Sequence, residues 1–432
     1  MVEKSQGRIY PDKVIFHGSK KYKRTEFFMF KKIFLVCSFF ILCILVSCTD
    51  LFSTVTYDKT TIFFHANGGS GEMSNQEIYQ RTNSQIKKNT FSNGKFLFVG
   101  WATSADGEII YLDEDPFCYT TTAKLNLYAK WLDLDHFMVP VPGAYVIGSG
   151  KKGVFVDGRK VNVADYSISR YEVPYEMWTS VAEWATKNGY KFNGKATKGG
   201  RKPGGAAPNP DGPVYQPVSN VTWQDCIVWC NAYSEKQGLE PVYTSDGKIL
   251  KDSTLAVSDH PDLDMTKNGY RLPTEIEWEF AARGGDPADT ANWNYIYPGT
   301  DIPEQAGWFS GNSSISNEFQ THTIGTAKRG TRQNIFDMAG NVREWCWDFY
   351  SNNTDSKISA DTPLTGVTAD KAMNTGNAYW HIRRGGSYDH EELEMQITNR
   401  SFMISTTYIH CTGFRIARTG LVIIDTEDEP DI

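Results

Sequence analysis

Eight cysteines are the side chains of this 432-residue chain best suited to nucleophilic, redox or metal chemistry, and their spacing limits what they could do. Cys226 and Cys230 stand one helical turn apart in "WQDCIVWCNAY". Two sulfur ligands on one helix face do not complete a tetrahedral zinc site, so packing is expected of both. Cys37, Cys43 and Cys48 belong to an apolar N-terminal stretch. That leaves Cys118, Cys226, Cys230, Cys346 and Cys411, an odd number that defines no complete disulfide framework. His381, His390 and His410 crowd one C-terminal segment, but loop positions set no ligand geometry, and exposed histidines are expected there. Cys411 falls far along the same loop as a lone thiol. The sequence offers no Cys–His pair with an orienting partner, no serine elbow and no glycine-rich phosphate loop after a strand.

The elements that carry these residues read as separate modules. A net charge of -7 provides no basic field, which argues against nucleic acid as a partner. Aromatic residues at 13% with 37 glycines suit turn-rich folds with aromatic surfaces. Residues 1–28 are polar and precede Met29, a natural start, so they read as an over-extended N-terminus. Residues 29–47 have the basic, apolar and small-residue parts of a secretory signal, in an apolar run too short to span a bilayer. "LVSC" looks like a bacterial lipobox, with Cys48 as the lipidated residue. The chain is therefore expected at the bacterial cell envelope, surface-exposed and touching the membrane through its lipid anchor only. Residues 48–60 read as a linker and 421–432 as an acidic tail.

Residues 61–131 alternate apolar and polar positions between Gly and Asp-Gly turns, as in "GKFLFVGWATSADGEIIYLD" and "AKLNLYAKW". "ANGGSGE", "FVGWATSADG" and "LNLYAKW" resemble the Listeria–Bacteroides repeat. That resemblance implies an all-β spacer or adhesive unit, here lifting a larger domain from the membrane. Residues 132–420 change character, with short strands, long polar loops and two helices. One begins at a cap among Ser219, Asn220 and Thr222 and ends at Gly238. The other starts with Pro273 and Thr274, has Glu277 in a capping-box position and ends at Gly284 and Gly285.

The phrases "VPVPGAYVIGSG", "ISRYEVPYEMW", "PVSNVTWQDCIVWCNAYS", "GYRLPTEIEWEFAARGG", "NIFDMAGNVREWCWDFY" and "RRGGSY…GFRIAR" resemble, in this order, the formylglycine-generating enzyme or sulfatase-modifying factor family. The resemblance implies an α+β, C-type-lectin-like fold with little regular secondary structure. It also implies a structural calcium site, with Asp337 and Glu344 as side-chain ligands and Gly340 and Val342 as carbonyl donors, and calcium accepts such oxygens. The family's copper-binding cysteine pair falls on His390 and Met395. Neither supplies a thiolate, so the family reaction should fail.

Without that chemistry, Asp389 to Thr412 reads as a presented loop. Its spacing resembles that of the variable proteins of diversity-generating retroelements. Between Ser401 and Thr412 every residue except Met403 lies in the set that adenine-directed mutagenesis of such proteins reaches, whereas Glu391, Glu392, Glu394, Met395 and Gln396 do not. The candidate ligand-binding residues are Trp380, Tyr388, Asp389, His390, Leu393, Ile397, Thr398, Asn399, Phe402, Ile404, Thr406, Tyr408 and His410. Aromatics offer large contact area with few rotatable bonds, and the polar members offer adaptable hydrogen bonds. An external protein or glycan is the expected partner. The competing expectation is a metal-dependent oxidase of the same family, motivated by the calcium-like loop, Ser387 and Arg400.

Overall fold

The structure is a computed structural model that describes residues 58–422 apart from 95, 106, 108, 112, 121–122, 133–136, 201–214, 255–260, 316–317 and 351–379. The signal segment, Cys48 and most of the acidic tail lie outside the described residues. Among the described residues no helix is long and apolar enough to cross a membrane.

The first module is built from β1 (Lys59–His65), β2 (Gln76–Tyr79), β3 (Leu97–Ala102), β4 (Ile109–Tyr111) and β5 (Leu125–Leu132). They form a five-stranded sheet in the order β2-β1-β5-β3-β4, with β1 and β5 parallel. Alternation in β1 places Ile62 and Phe64 inward, where Trp101 is fully buried among Phe64, Phe91 and Phe98. The Gly-Trp signature has a steric origin. Gly100 sits at φ +148° at a register irregularity, and a Cβ there would approach Ile109 Cγ2 to 2.6 Å and the Tyr111 carbonyl to 2.8 Å. The Trp131 indole N–H of "YAKW" donates to the Ala66 carbonyl at 2.8 Å and so ties β5 to the turn after β1. Val99 and Leu132 also enter a core shared with Phe137 and Tyr171, so the expected spacer is joined by apolar packing to the domain that follows.

The larger domain contains β6 (Met138–Val141), β7 (Tyr166–Ser169), α1 (Tyr175–Lys187), α2 (Trp223–Lys236), α3 (Glu275–Ala282), β8 (Arg343–Phe349), β9 (Trp380–Arg384), β10 (Ser401–Ile404), β11 (Thr412–Gly413) and β12 (Ala417–Thr419). Two sheets matter here: β12-β7-β6 and β10-β9-β8-β11. Thr222 caps α2 in a capping box with Asp225, and Thr274 caps α3 in one with Glu277. The side chains satisfy backbone N–H groups that the helix itself leaves open. By contrast α1 starts at Pro174 without a side-chain cap, which is why no local signal announces it. Expected to be amphipathic, α2 is instead enclosed on nearly all sides: Trp223, Cys226, Ile227, Val228, Trp229 and Cys230 are all inaccessible. The two cysteines are core residues.

Replacing Gly100 by Ala should lower the urea midpoint by the equivalent of more than about 1 kcal/mol, because both the φ and the space require glycine. An unchanged midpoint would show that β3 and β4 can separate freely.

Candidate functional site

Buried charge positions the C-terminal segment. Glu275, Glu277 and Glu279 all point from α3 into the interior, and each meets an arginine. Arg271 holds Glu277 through two contacts of 2.7 Å. Arg384, at the end of β9, reaches Glu275 and Glu279 at 2.7 Å each. Arg400, just before β10, takes both oxygens of Glu275 at 2.6 Å. Both ends of the segment between β9 and β10 are thus fixed to one carboxylate. Burial alone would raise the Glu275 pKa, but Arg400 and Arg384 outweigh it and hold the carboxyl below its ordinary value. Gly386 in "RRGGSY" lies at φ +73°, where a Cβ would come within 2.9 Å of the Glu394 backbone, so the turn after β9 packs directly against the segment it launches.

The calcium loop does not assemble as the resemblance implies. Both Glu344 oxygens are occupied by Arg415, at 2.6 and 2.7 Å, and one also accepts the Trp278 indole N–H at 2.6 Å. The Val342 amide donates to Glu172 at 3.0 Å, and the Gly340 amide donates to the Gly385 carbonyl at 2.8 Å. Asp337 accepts from the Gly325 amide through one oxygen, while the other is buried without a partner. The Arg415 guanidinium neutralises the Glu344 carboxylate. In this arrangement Glu344 is engaged by Arg415 rather than free for a cation, and the unpartnered Asp337 oxygen is the one carboxylate donor of the implied set left open.

Burial raises the Asp337 carboxyl to about 6 and pushes Glu172 well above its ordinary range, with Asp337 adding repulsion. Glu172 had no sequence signal, because it reaches this loop from the chain before α1.

The family's two cysteine positions are separated in environment. Met395 is fully buried in a cluster with Tyr297, Ala306, Phe309 and Ala339 and is not offered to a metal. His390 is half-exposed and hydrogen-bonds to Ser387 through Nδ1. Burial and the nearby Arg343 lower its pKa to about 4, so the ring is neutral near pH 7. Cys411, expected to be remote, lies with Asp389 and His390 so that their ligand atoms are within 4.8 Å of one another.

The sequence-predicted ligand residues divide into presented and buried groups. Trp380 and Phe402 stack at 4.5 Å and Phe402 and Tyr350 at 3.9 Å, all three half-exposed. Ile404 pairs with Trp380 in the β9–β10 ladder, and β10 is the outer strand of its sheet. Leu393 is 58% exposed, Thr406 is exposed, and Asp389, Thr398, Asn399, Tyr408 and His410 are half-exposed. Lys195 lies 4.3 Å over the Tyr408 ring.

Tyr388 and Ile397 are corrections. Tyr388 is inaccessible, its hydroxyl bonded to His410 Nδ1 at 2.6 Å, and Ile397 packs in the core. His381, expected exposed, is also inaccessible, stacked on Trp223 at 3.6 Å, with Nδ1 3.1 Å from the Trp347 carbonyl oxygen. The expected loop is likewise a short 3-10 turn, Glu392–Met395, followed by a strand. Beside the aromatic stack a cavity of about 320 Å³ is lined by Lys151, Lys152, Tyr350, Thr398, Asn399 and Arg400 among others. Sequence reasoning missed Tyr350 and both lysines. They come from distant stretches, and only the tertiary fold brings them together.

Fold and site define a formylglycine-generating-enzyme-like domain whose thiol pair is missing, preceded by an all-β repeat. The chain belongs to the family described as "Sulfatase-modifying factor enzyme 1-like domain", which matches residues 129–420, and the Listeria-Bacteroides repeat domain matches residues 61–130. It is 32% identical over 247 residues to "Chaperone protein LppX" of Paenibacillus barcinonensis, covering 53% of this chain and 71% of that one. Among solved structures, CarF is similar at a TM-score of 0.52 and 25% identity, covering 65% of this chain and 97% of CarF. Treponema denticola variable protein 1 is similar at a TM-score of 0.47 and 24% identity, covering 65% and 94%.

Because the Asp337 pKa is raised on folding, the folded state binds this proton more tightly than the unfolded chain. Stability is therefore lost as pH rises from the ordinary aspartate value through about 6. Asp337→Asn should remove this loss, leaving the variant more stable than the parent by on the order of 2 kcal/mol at about pH 8, with the two converging at about pH 4. Melting temperatures across that range check it. A variant destabilised at pH 8 and a parent stabilised by added calcium would restore the metal reading.

Proposed function

We propose that this chain is a lipid-anchored protein of the bacterial surface whose C-terminal domain binds an external protein or glycan without catalysis. The lipobox-like "LVSC" supports the anchor, and the segment from Ser401 to Thr412 is the part suited to diversification by a retroelement. The observation that carries the binding role is the half-exposed Trp380–Phe402–Tyr350 stack beside the cavity of about 320 Å³. Aromatic faces held by stacking lose little rotamer freedom on binding, while Thr398, Asn399 and the Lys151 and Lys152 ammonium groups provide polar and cationic contacts. A rigid sheet edge presenting adaptable side chains is a common way to combine a stable fold with recognition.

The oxidase alternative keeps Ser387 and a thiol, Cys411, near His390. One thiol, 3% exposed, does not rebuild a pair able to hold Cu(I) between two sulfurs.

Screening the full protein and its Phe402→Ala variant against arrays of glycans and extracellular-matrix proteins tests the surface. Any ligand captured by the parent should bind the variant at least about tenfold more weakly, or about 1.4 kcal/mol. The melting temperature should change little, since Phe402 is half-exposed. Undiminished binding by the variant would place recognition elsewhere.

A further inference from the structure

Asp389, His390 and Cys411 lie outside the buried charge lattice and on the margin of the binding surface. Their ligand atoms approach within 4.8 Å of one another, the one such cluster of metal-binding groups among the described residues. Each contributes a different donor: carboxylate oxygen, imidazole nitrogen and sulfur. His410 adds a second imidazole nearby, with Nδ1 3.8 Å from an Asp389 oxygen. We propose that these residues bind a divalent cation of borderline softness, zinc by preference, which clasps the two ends of the presented segment together.

Zinc accepts nitrogen, oxygen and sulfur without geometric demand from its d electrons, and a Cys, His and Asp set with a further His or water completes four-coordination. Magnesium and calcium are excluded by the sulfur and imidazole donors. The ligand set differs from a cysteine pair at His390 and Met395, since Met395 is closed inside its own apolar cluster and Cys411 comes from the far end of the segment.

The donors' positions explain what the ion would do. Asp389 and His390 lie just before Glu391, the residue that caps the 3-10 turn, and Cys411 directly precedes β11. Leu393, Thr398, Asn399, Phe402, Thr406 and Tyr408 lie between them. Closing a loop at its base reduces the freedom of the unfolded and partly opened chain, as metal clips do. Ser387 accompanies the set, its hydroxyl donating to Asp389 at 2.8 Å and thereby orienting that carboxylate. Such outer partners fix ligand geometry.

Electrostatics does not forbid the site. Arg343 and Arg383 are close by, but Arg343 is paired with Glu394 at 2.5 Å, and the Arg383 guanidinium is engaged with the Thr412 hydroxyl at 2.7 Å and the Ser401 hydroxyl at 3.3 Å. On binding, Cys411 loses its thiol proton to solvent and coordinates as thiolate, with no change of oxidation state.

The test uses the full chain loaded with zinc or cobalt(II), desalted, and assayed for metal by elemental mass spectrometry. One ion per chain is expected, and the cobalt form should show a thiolate-to-metal charge-transfer band in the near ultraviolet. Cys411→Ser should lose the band and His390→Ala most of the metal, while Cys118→Ser, at an exposed cysteine, should keep both. His390 is half-exposed, so its variant guards against a folding failure of the Cys411 variant. A parent chain that retains no metal, or a Cys411→Ser variant with an unchanged cobalt spectrum, would overturn the proposal and leave the binding surface untouched.

Discussion

The arginine–glutamate lattice around α3 is the constraint from which the rest of the C-terminal domain follows. Burying Glu275, Glu277 and Glu279 on one short helix would be strongly unfavourable for unpaired carboxylates, since charge removed from water is stable only when neutralised at close range. Arg271, Arg384 and Arg400 each meet that requirement with contacts of 2.6–2.7 Å. Removing one partner of such a pair leaves a buried charge and costs about 3–5 kcal/mol. Because Arg384 and Arg400 bracket the presented segment and converge on Glu275, a device of the core also sets the position of the surface.

This has a direct consequence for recognition. A binding segment whose base is already fixed loses less conformational freedom on association, so more of its contact energy appears as affinity. The stack of Tyr350, Phe402 and Trp380 extends the same logic to the side chains, each ring restricted by its neighbour while remaining partly exposed. Side chains between the fixed points, such as Leu393, Thr398 and Asn399, can then vary with little effect on the frame, because they lie at least partly exposed.

Much of the frame was legible in the sequence, and the physical reason is locality. The caps of α2 and α3 depend on residues three positions apart, Thr222 with Asp225 and Thr274 with Glu277, so a short window contains them. The β repeat was equally plain, its alternation and its Gly-Trp step being consequences of one sheet. α1 was missed because Pro174 brings no capping side chain. At the site, legibility fell with sequence separation. Tyr388 and His381 have the composition of surface residues, yet Trp223 and His410, far along the chain, cover or engage them. Glu344 looked like a cation ligand until Arg415, in the next motif, was seen to occupy it. Cys411 looked remote until the fold returned it to Asp389 and His390.

The proposed role keeps the enzyme family's frame and dispenses with its chemistry, since His390 and Met395 stand where the family has two cysteines. A binding-only role is tested by incubating the full protein with copper, oxygen, a thiol reductant and a cysteine-containing sulfatase peptide, then measuring the peptide by mass spectrometry. With no cysteine pair to hold copper, the peptide cysteine should remain unconverted. Its conversion to formylglycine would contradict a binding-only role and show that His390, Cys411 and their neighbours rebuild an oxidising centre.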